Sequence, residues 1–261
     1  MTFPICSFQP THPMYRLILF LSLFLSTALT AADPGCFELR TYHAAEGKLE
    51  ALNARFRNHT RALFAKHGMT NVAYWMPVEN EGQTLVYLLA YPDRQAREVS
   101  WKAFNADPEW KSAKTESEKD GKLVAKVESR FLHLTGYSPK LPASEGATPR
   151  LFEMRVYTTR PGRLDALDTR FRDHTLGLFT KHGMTNLLYF HLDDDQEASD
   201  HTLVYFLAHS SADARTASFD AFRADPDWIA ARDASEKEEK ILVDQGVAST
   251  LLKATDYSPL K

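Results

Sequence analysis

Cysteine is close to absent from this chain. Cys6 and Cys36 are the two in 261 residues, too few for a disulfide framework. No His-x-x-x-His pair occurs, and His59 and His67 stand about two helical turns apart, so no set of metal ligands converges in the sequence. Glycine-rich phosphate loops and the Gly-x-Ser-x-Gly nucleophile turn are missing too. Neither sign of charge dominates, with 31 Lys and Arg against 34 Asp and Glu and a net charge of -3. That balance speaks against nucleic acid and against an anionic membrane surface as partners. The apolar run Leu17–Leu25 is too short for a comfortable membrane span of ~20 residues.

What that run does suggest is export. Arg16 precedes it, and small residues follow it to Ala32. A positive flank, a short apolar core and small residues before a polar start make a signal peptide. The expectation is a signal over residues 1–32, removed after Ala32, giving a periplasmic or secreted protein, with Met14 as an alternative start and a retained anchor as the alternative fate. Cys36 would then stand alone, read as a thiol buried beside the first strand.

The chain is built on a repeat. Arg55–Asn71 reads RFRNHTRALFAKHGMTN and returns at Arg170–Asn186 as RFRDHTLGLFTKHGMTN, with 13 of 17 positions identical. Two units follow from this, at 37–139 and 151–259, joined by a Pro-, Ala- and Ser-containing linker at 140–150. Each opens on an alternating strand: Phe37-Glu38-Leu39-Arg40-Thr41-Tyr42 and its copy Phe152-Glu153-Met154-Arg155-Val156-Tyr157. Phe37, Leu39 and Thr41 are expected to pack on helices, leaving Glu38, Arg40 and Tyr42 on the opposite face. A helix follows, with Leu49, Leu52, Phe56, Leu63 and Phe64 at helical spacing and Gly68 past its end. Strands are expected at Asn71–Met76 and Thr84–Ala90. A second helical region starts at Asp107-Pro108, and a strand at Val127–Leu134 closes the unit. The second unit repeats each element.

Strand, helix, strand, strand, helix, strand is the ferredoxin-like order. The expected fold is therefore α+β: two tandem ferredoxin-like (βαββαβ) repeats, each leaving one sheet face bare, forming an intrachain α/β barrel. The Glu-Leu-Arg-Thr-Tyr motif at Glu38–Tyr42 and Asp-Pro-Glu-Trp at Asp107–Trp110, each echoed in the second unit, resemble the NIPSNAP family of the dimeric α/β-barrel superfamily. The resemblance covers nearly the whole chain after residue 32, once per half. It implies tandem NIPSNAP domains folded as one barrel. The wider superfamily includes cofactor-free monooxygenases, haem-degrading enzymes and small-molecule binders.

Three functions are compatible with these residues. The first is a small-molecule binder using the barrel interior, with Glu38, Arg40, Tyr42, Glu153, Arg155 and Tyr157 lining it. Buried Glu–Arg pairing is the structural alternative for those six. The second is a cofactor-independent oxygenase or isomerase in which a barrel-facing His59 or His174 acts as base. A core histidine bonded to a neighbour is the alternative for both. The third is a protein-interaction module. No cofactor and no metal are expected, and the partners left open are a small ligand and a second copy of the chain. Retention of the helix motif in both halves favours a structural role for it, or two equivalent sites.

Overall fold

Period-two alternation in the opening strand of each half decides how the chain is layered. The computed structural model describes residues 1–2, 34–140 and 150–261; all but the first two residues of the expected signal at 1–32 and most of the linker at 140–150 lie outside them. The first half runs β1 (Cys36–Ala44), α1 (Leu49–Arg55), a π-helical turn (Phe56–Thr60), α2 (Arg61–Lys66), β2 (Thr70–Pro77), β3 (Thr84–Tyr91), α3 (Arg94–Ala106), α4 (Pro108–Ser117) and β4 (Val124–Leu134). The second runs β5 (Leu151–Thr159), α5 (Leu164–Arg170), a second π-turn (Phe171–Thr175), α6 (Leu176–Lys181), β6 (Thr185–Leu192), β7 (Thr202–His209), α7 (Ala212–Ala224), α8 (Pro226–Ser235) and β8 (Leu242–Ala254).

Each half makes a four-stranded antiparallel sheet, β4-β1-β3-β2 and β8-β5-β7-β6. The two sheets close into an eight-stranded barrel where β2 meets β8 and β4 meets β6. Both seams are short, spanning Trp75–Pro77 against Leu252–Ala254 and Leu132–Leu134 against Phe190–Leu192. Closure buries the bare faces that neither sheet could leave in water. Phe37, Trp75, Leu132, Phe152, Phe190, Phe206 and Leu252 fill one end of the interior, all fully or almost fully buried. Trp75 stacks on Phe206 at 5.1 Å and Phe37 meets Phe190 edge-on at 5.0 Å, so rings from opposite halves interlock. Burial is worth roughly 1.5–3 kcal/mol for each such side chain.

This placement inverts the expected faces of the opening strands. Phe37 and Leu39 point into the barrel, whereas Tyr42 packs with Phe56, Tyr74 and Tyr87 beneath the helices. The plugged end of the barrel interior takes apolar residues from both halves. The helix side can accept Glu38 and Arg40 because the two pair with each other and Arg97 of α3 adds a second cation on Glu38.

The repeated helix carries a π-turn in both halves. The Arg61 N–H bonds back to the Phe56 carbonyl, five residues away, and Leu176 does the same to Phe171. Thr60 Oγ1 donates to the Arg55 carbonyl at 3.2 Å, and Thr175 Oγ1 to Arg170 at 3.1 Å. Each hydroxyl thus bonds back across its own π-turn to the carbonyl five residues earlier. Arg55 reaches Glu118 at 2.8 Å and Arg170 reaches Glu236 at 2.9 Å, tying each helix to the end of the following pair. These contacts account for the arginine and threonine of the repeated motif. His67 and His182 bond Asp107 and Asp225, which cap α4 and α8.

The halves also exchange tails. Tyr137 donates to Asp168 at 2.6 Å, and Ser138 accepts from the Tyr189 N–H, both in the second half. Reciprocally, Tyr257 donates to Asn53 at 2.6 Å and Ser258 accepts from the Tyr74 N–H in the first. Cys36 is buried in β1, and burial pushes its thiol up to about 11.

Candidate functional site

The six residues Glu38, Arg40, Tyr42, Glu153, Arg155 and Tyr157 do come together, as two copies of one cluster between sheet and helices. Glu38 is fully buried and accepts from Arg40, Arg97 (2.8 Å), Ser129 (2.7 Å), Tyr91 (3.1 Å) and Trp101 (3.1 Å). Burial alone would raise its pKa. The Arg97 hydrogen bond, the Arg40 charge and Ser129 outweigh it and hold the carboxyl at about 2. Glu153 accepts from Arg155, Arg215 (2.7 Å), His209 (3.1 Å) and Ser249 (2.6 Å), and its carboxyl is likewise depressed despite burial. Both glutamates are therefore anchors for arginine at neutral pH and unsuited to accept a proton.

The arginines carry the cluster toward the outer edge of the sheet. Arg40 lies 4.5 Å from the centre of the Trp101 ring and donates to the Tyr42 hydroxyl at 3.5 Å. Arg155 lies 4.8 Å from the Phe219 ring and donates to Tyr157 at 3.2 Å. Behind each pair sits a fully buried tyrosine, Tyr87 or Tyr205, whose hydroxyl has no hydrogen-bond partner among the described residues. Burial drives both phenols well above their ordinary range.

A cavity of about 380 Å³ opens over the first cluster, between the helices and the edge of β4. Tyr42, Trp101 and Trp110 present half-buried rings to it. Arg55 lies over the Trp110 ring at 5.2 Å and is neutralised by Glu118. Lys114 and Lys122, at the rim, form no ion pair among the described residues. The arrangement suits a flat ring with an anionic or enolic oxygen: aromatic faces for stacking, and ammonium groups for charge.

His59 and His174 do not face the barrel. Both are exposed on the π-turns, and neither ring has a hydrogen-bond partner among the described residues. An unbroken α-helix would place His59, three residues after Phe56 and four before Leu63, on the buried stripe. The π-turn adds a residue to that turn and rotates the ring outward. His59 instead borders a cavity between α1 and α4, with Glu109 and Glu116.

Sequence reasoning missed Arg97, Arg215, Ser129, Ser249 and His209. The paired arginines were visible as matched residues of the two copies, as were the serines, but nothing local marks them as partners of Glu38 and Glu153. His209 stands where the first half has Tyr91, so the second cluster contains an imidazole on its glutamate and no indole. Among the described residues no group of three His, Cys, Asp or Glu converges on a metal-sized site.

Two antiparallel ferredoxin-like sheets closed into one barrel, each covered by helices on its outer face, define a fused two-fold α/β-barrel protein. Three solved structures share that fold: a candidate monooxygenase from Fusobacterium nucleatum (12% identity, TM-score 0.52, covering 85% of this chain and 93% of that one), one from Lactobacillus acidophilus (11%, 0.51, 87% and 98%), and an anthrone oxidase-like protein (11%, 0.55, 88% and 95%). No curated protein sequence matches the chain. The NIPSNAP family model matches residues 37–139 and 152–259. The chain belongs to the NIPSNAP family.

Proposed function

We propose that the protein binds a flat aromatic or enolic small molecule in the cavity over Tyr42. The observation that carries this reading is the convergence of three half-buried rings, Tyr42, Trp101 and Trp110, on about 380 Å³ of space bordered by Lys114 and Lys122, which form no ion pair among the described residues. Large rings ordinarily complete their burial against protein. The name of one similar structure, the anthrone oxidase-like protein, supports the same substrate class by analogy, since an anthrone is a flat aromatic ketone. The site moves from the barrel interior, where the sequence put it, to the helix side of the sheet. Binding, not turnover, is the reading. Glu38 is held ionised by its donors, and His59 and His174 lie on the surface, which leaves the oxygenase alternative without its base. Export is part of the proposal, on the strength of the apolar run behind Arg16.

Native mass spectrometry of protein purified from its own host is the first test, followed by tryptophan-fluorescence titration with anthrone and 2-naphthoate. Quenching that saturates, and that Trp110→Leu weakens about tenfold, is the expected result. A bare mass together with no quenching by either probe would reject the reading.

A further inference from the structure

The duplicated halves share one fold, so the places where they part are informative, and one of them opens a space for binding. That place is the end of the barrel opposite its aromatic plug. On β4 the inward positions, read from the plug outward, are Leu132, Arg130, Glu128 and Lys126, paired with Phe37, Leu39, Thr41 and His43 of β1. On β8 the matching positions are Leu252, Thr250 and Ala248, paired with Phe152, Met154 and Val156 of β5. Two charged side chains of one half, Glu128 and Arg130, thus line the same space as the small Ala248 and Thr250 of the other. Gly246 continues the small side, where an added Cβ would come within 2.6 Å of the Thr158 carbonyl.

Space follows from that pattern. A cavity of about 160 Å³ lies between the two sheets, bounded by Leu39, Glu128 and Arg130 of one half and by Met154, Val156 and Thr250 of the other. It shares Arg130 and Val156 with an outer cavity of about 480 Å³, under the loop that is longer in the second half. Thr158, Leu192 and Thr202 complete the outer wall. The neighbouring charges are mostly accounted for. Glu128 is bonded by Lys126 (2.8 Å) and His43 (2.9 Å), and Asp195 by Arg94 (3.2 Å). Arg130 has no hydrogen-bond or ion-pair partner among the described residues, although its strand places it on the barrel's inner face. Its guanidinium is a planar fork that matches a carboxylate. Glu197 on the loop borders the same opening and disfavours a second negative charge on the ligand.

We propose that the open end of the barrel is a second binding site, for a small monocarboxylate with an apolar body, held at its charged end by Arg130 and along its body by Leu39, Met154 and Val156. The site is separate from the cavity over Tyr42, which lies on the other face of the sheet. Isothermal titration of the full chain with octanoate, octanol and octanedioate reads it. The expectation is saturable binding of octanoate, with octanol and octanedioate each at least tenfold weaker. Arg130→Gln should weaken octanoate roughly tenfold to hundredfold, the size of a lost charge-assisted hydrogen bond. Ala248→Phe should block the cavity, and Trp110→Leu should leave octanoate binding unchanged. No octanoate binding, equal binding of octanol, or an Arg130→Gln variant that binds as well as the parent would each overturn the proposal. Because Arg130 is exposed, its replacement leaves the fold intact; matching thermal melts check this.

Discussion

Glu38 shows how a single residue can join every layer of its half. Its carboxylate takes hydrogen bonds from β1, β3, β4 and α3, through Arg40, Tyr91, Ser129, Arg97 and Trp101. Losing the charge leaves two arginines facing a neutral group out of water, a change that costs about 3–5 kcal/mol when a buried pair is broken. Glu38→Gln should therefore lower stability by that order in urea denaturation at pH 7, and Glu153→Gln should do the same. The pH dependence has a definite sign. The folded carboxyl sits at about 2, below its ordinary 4.5. Its stabilisation is complete above the unfolded value and is lost as pH falls from about 4.5 toward 2. The urea midpoint of the parent should drop more steeply than that of Glu38→Gln over that window; parallel curves would remove the glutamate from the account.

At the scale of elements, the π-turn separates what helical spacing can reveal from what it cannot. Phe56, Leu63 and Phe64 announce a helix, and a helix is there, but the apolar spacing contains no sign of the extra residue between them. His59 and His174 were misplaced for that reason. The turn is held by Thr60 and Thr175, whose hydroxyls are buried against the Arg55 and Arg170 carbonyls. Thr60→Val should cost about 1 kcal/mol for the lost bond, and Thr60→Val with Thr175→Val about twice that, since the two sites are far apart and add. His59→Ala and His174→Ala should each stay within about 0.5 kcal/mol of the parent. Thermal melts of the four variants discriminate, and a histidine variant as damaged as the threonine ones would mean the turn is misassigned. The strands carry the same lesson. Alternation in Phe37–Tyr42 shows that two faces exist but not which one is inner. Only the partner of Glu38, an arginine 59 residues away on α3, decides that. The strand order and the closure were legible because a duplicated half with one bare sheet face has a copy of itself to close against.

The barrel is built from two copies of a half, each with one apolar sheet face that only the other half covers. A separated first half would expose Phe37, Trp75, Val86, Leu88 and Leu132, all buried in the barrel, an apolar face of a kind that monomers rarely leave in water. It would also lack Tyr257 and Ser258, which fasten Asn53 and Tyr74 from the other half. The tail exchange means that unfolding one half releases a clamp on the other, so the full chain should melt in a single transition with calorimetric and van't Hoff enthalpies equal. Tyr257→Phe removes one hydrogen bond and should lower that transition by a few degrees without splitting it. Expressed alone, residues 34–140 should pair with a second copy by the same β2 and β4 edges and elute as a dimer in light-scattering chromatography, because a C₂ pair reproduces both seams at once. A stable monomeric half, or two separate transitions in the full chain, would show that the seams and tails are ornaments on independent domains. A dimeric half would show that the fused barrel retains the geometry of an association between two chains. In the fused chain the two sides of the barrel mouth are free to differ, as Arg130 and Thr250 do.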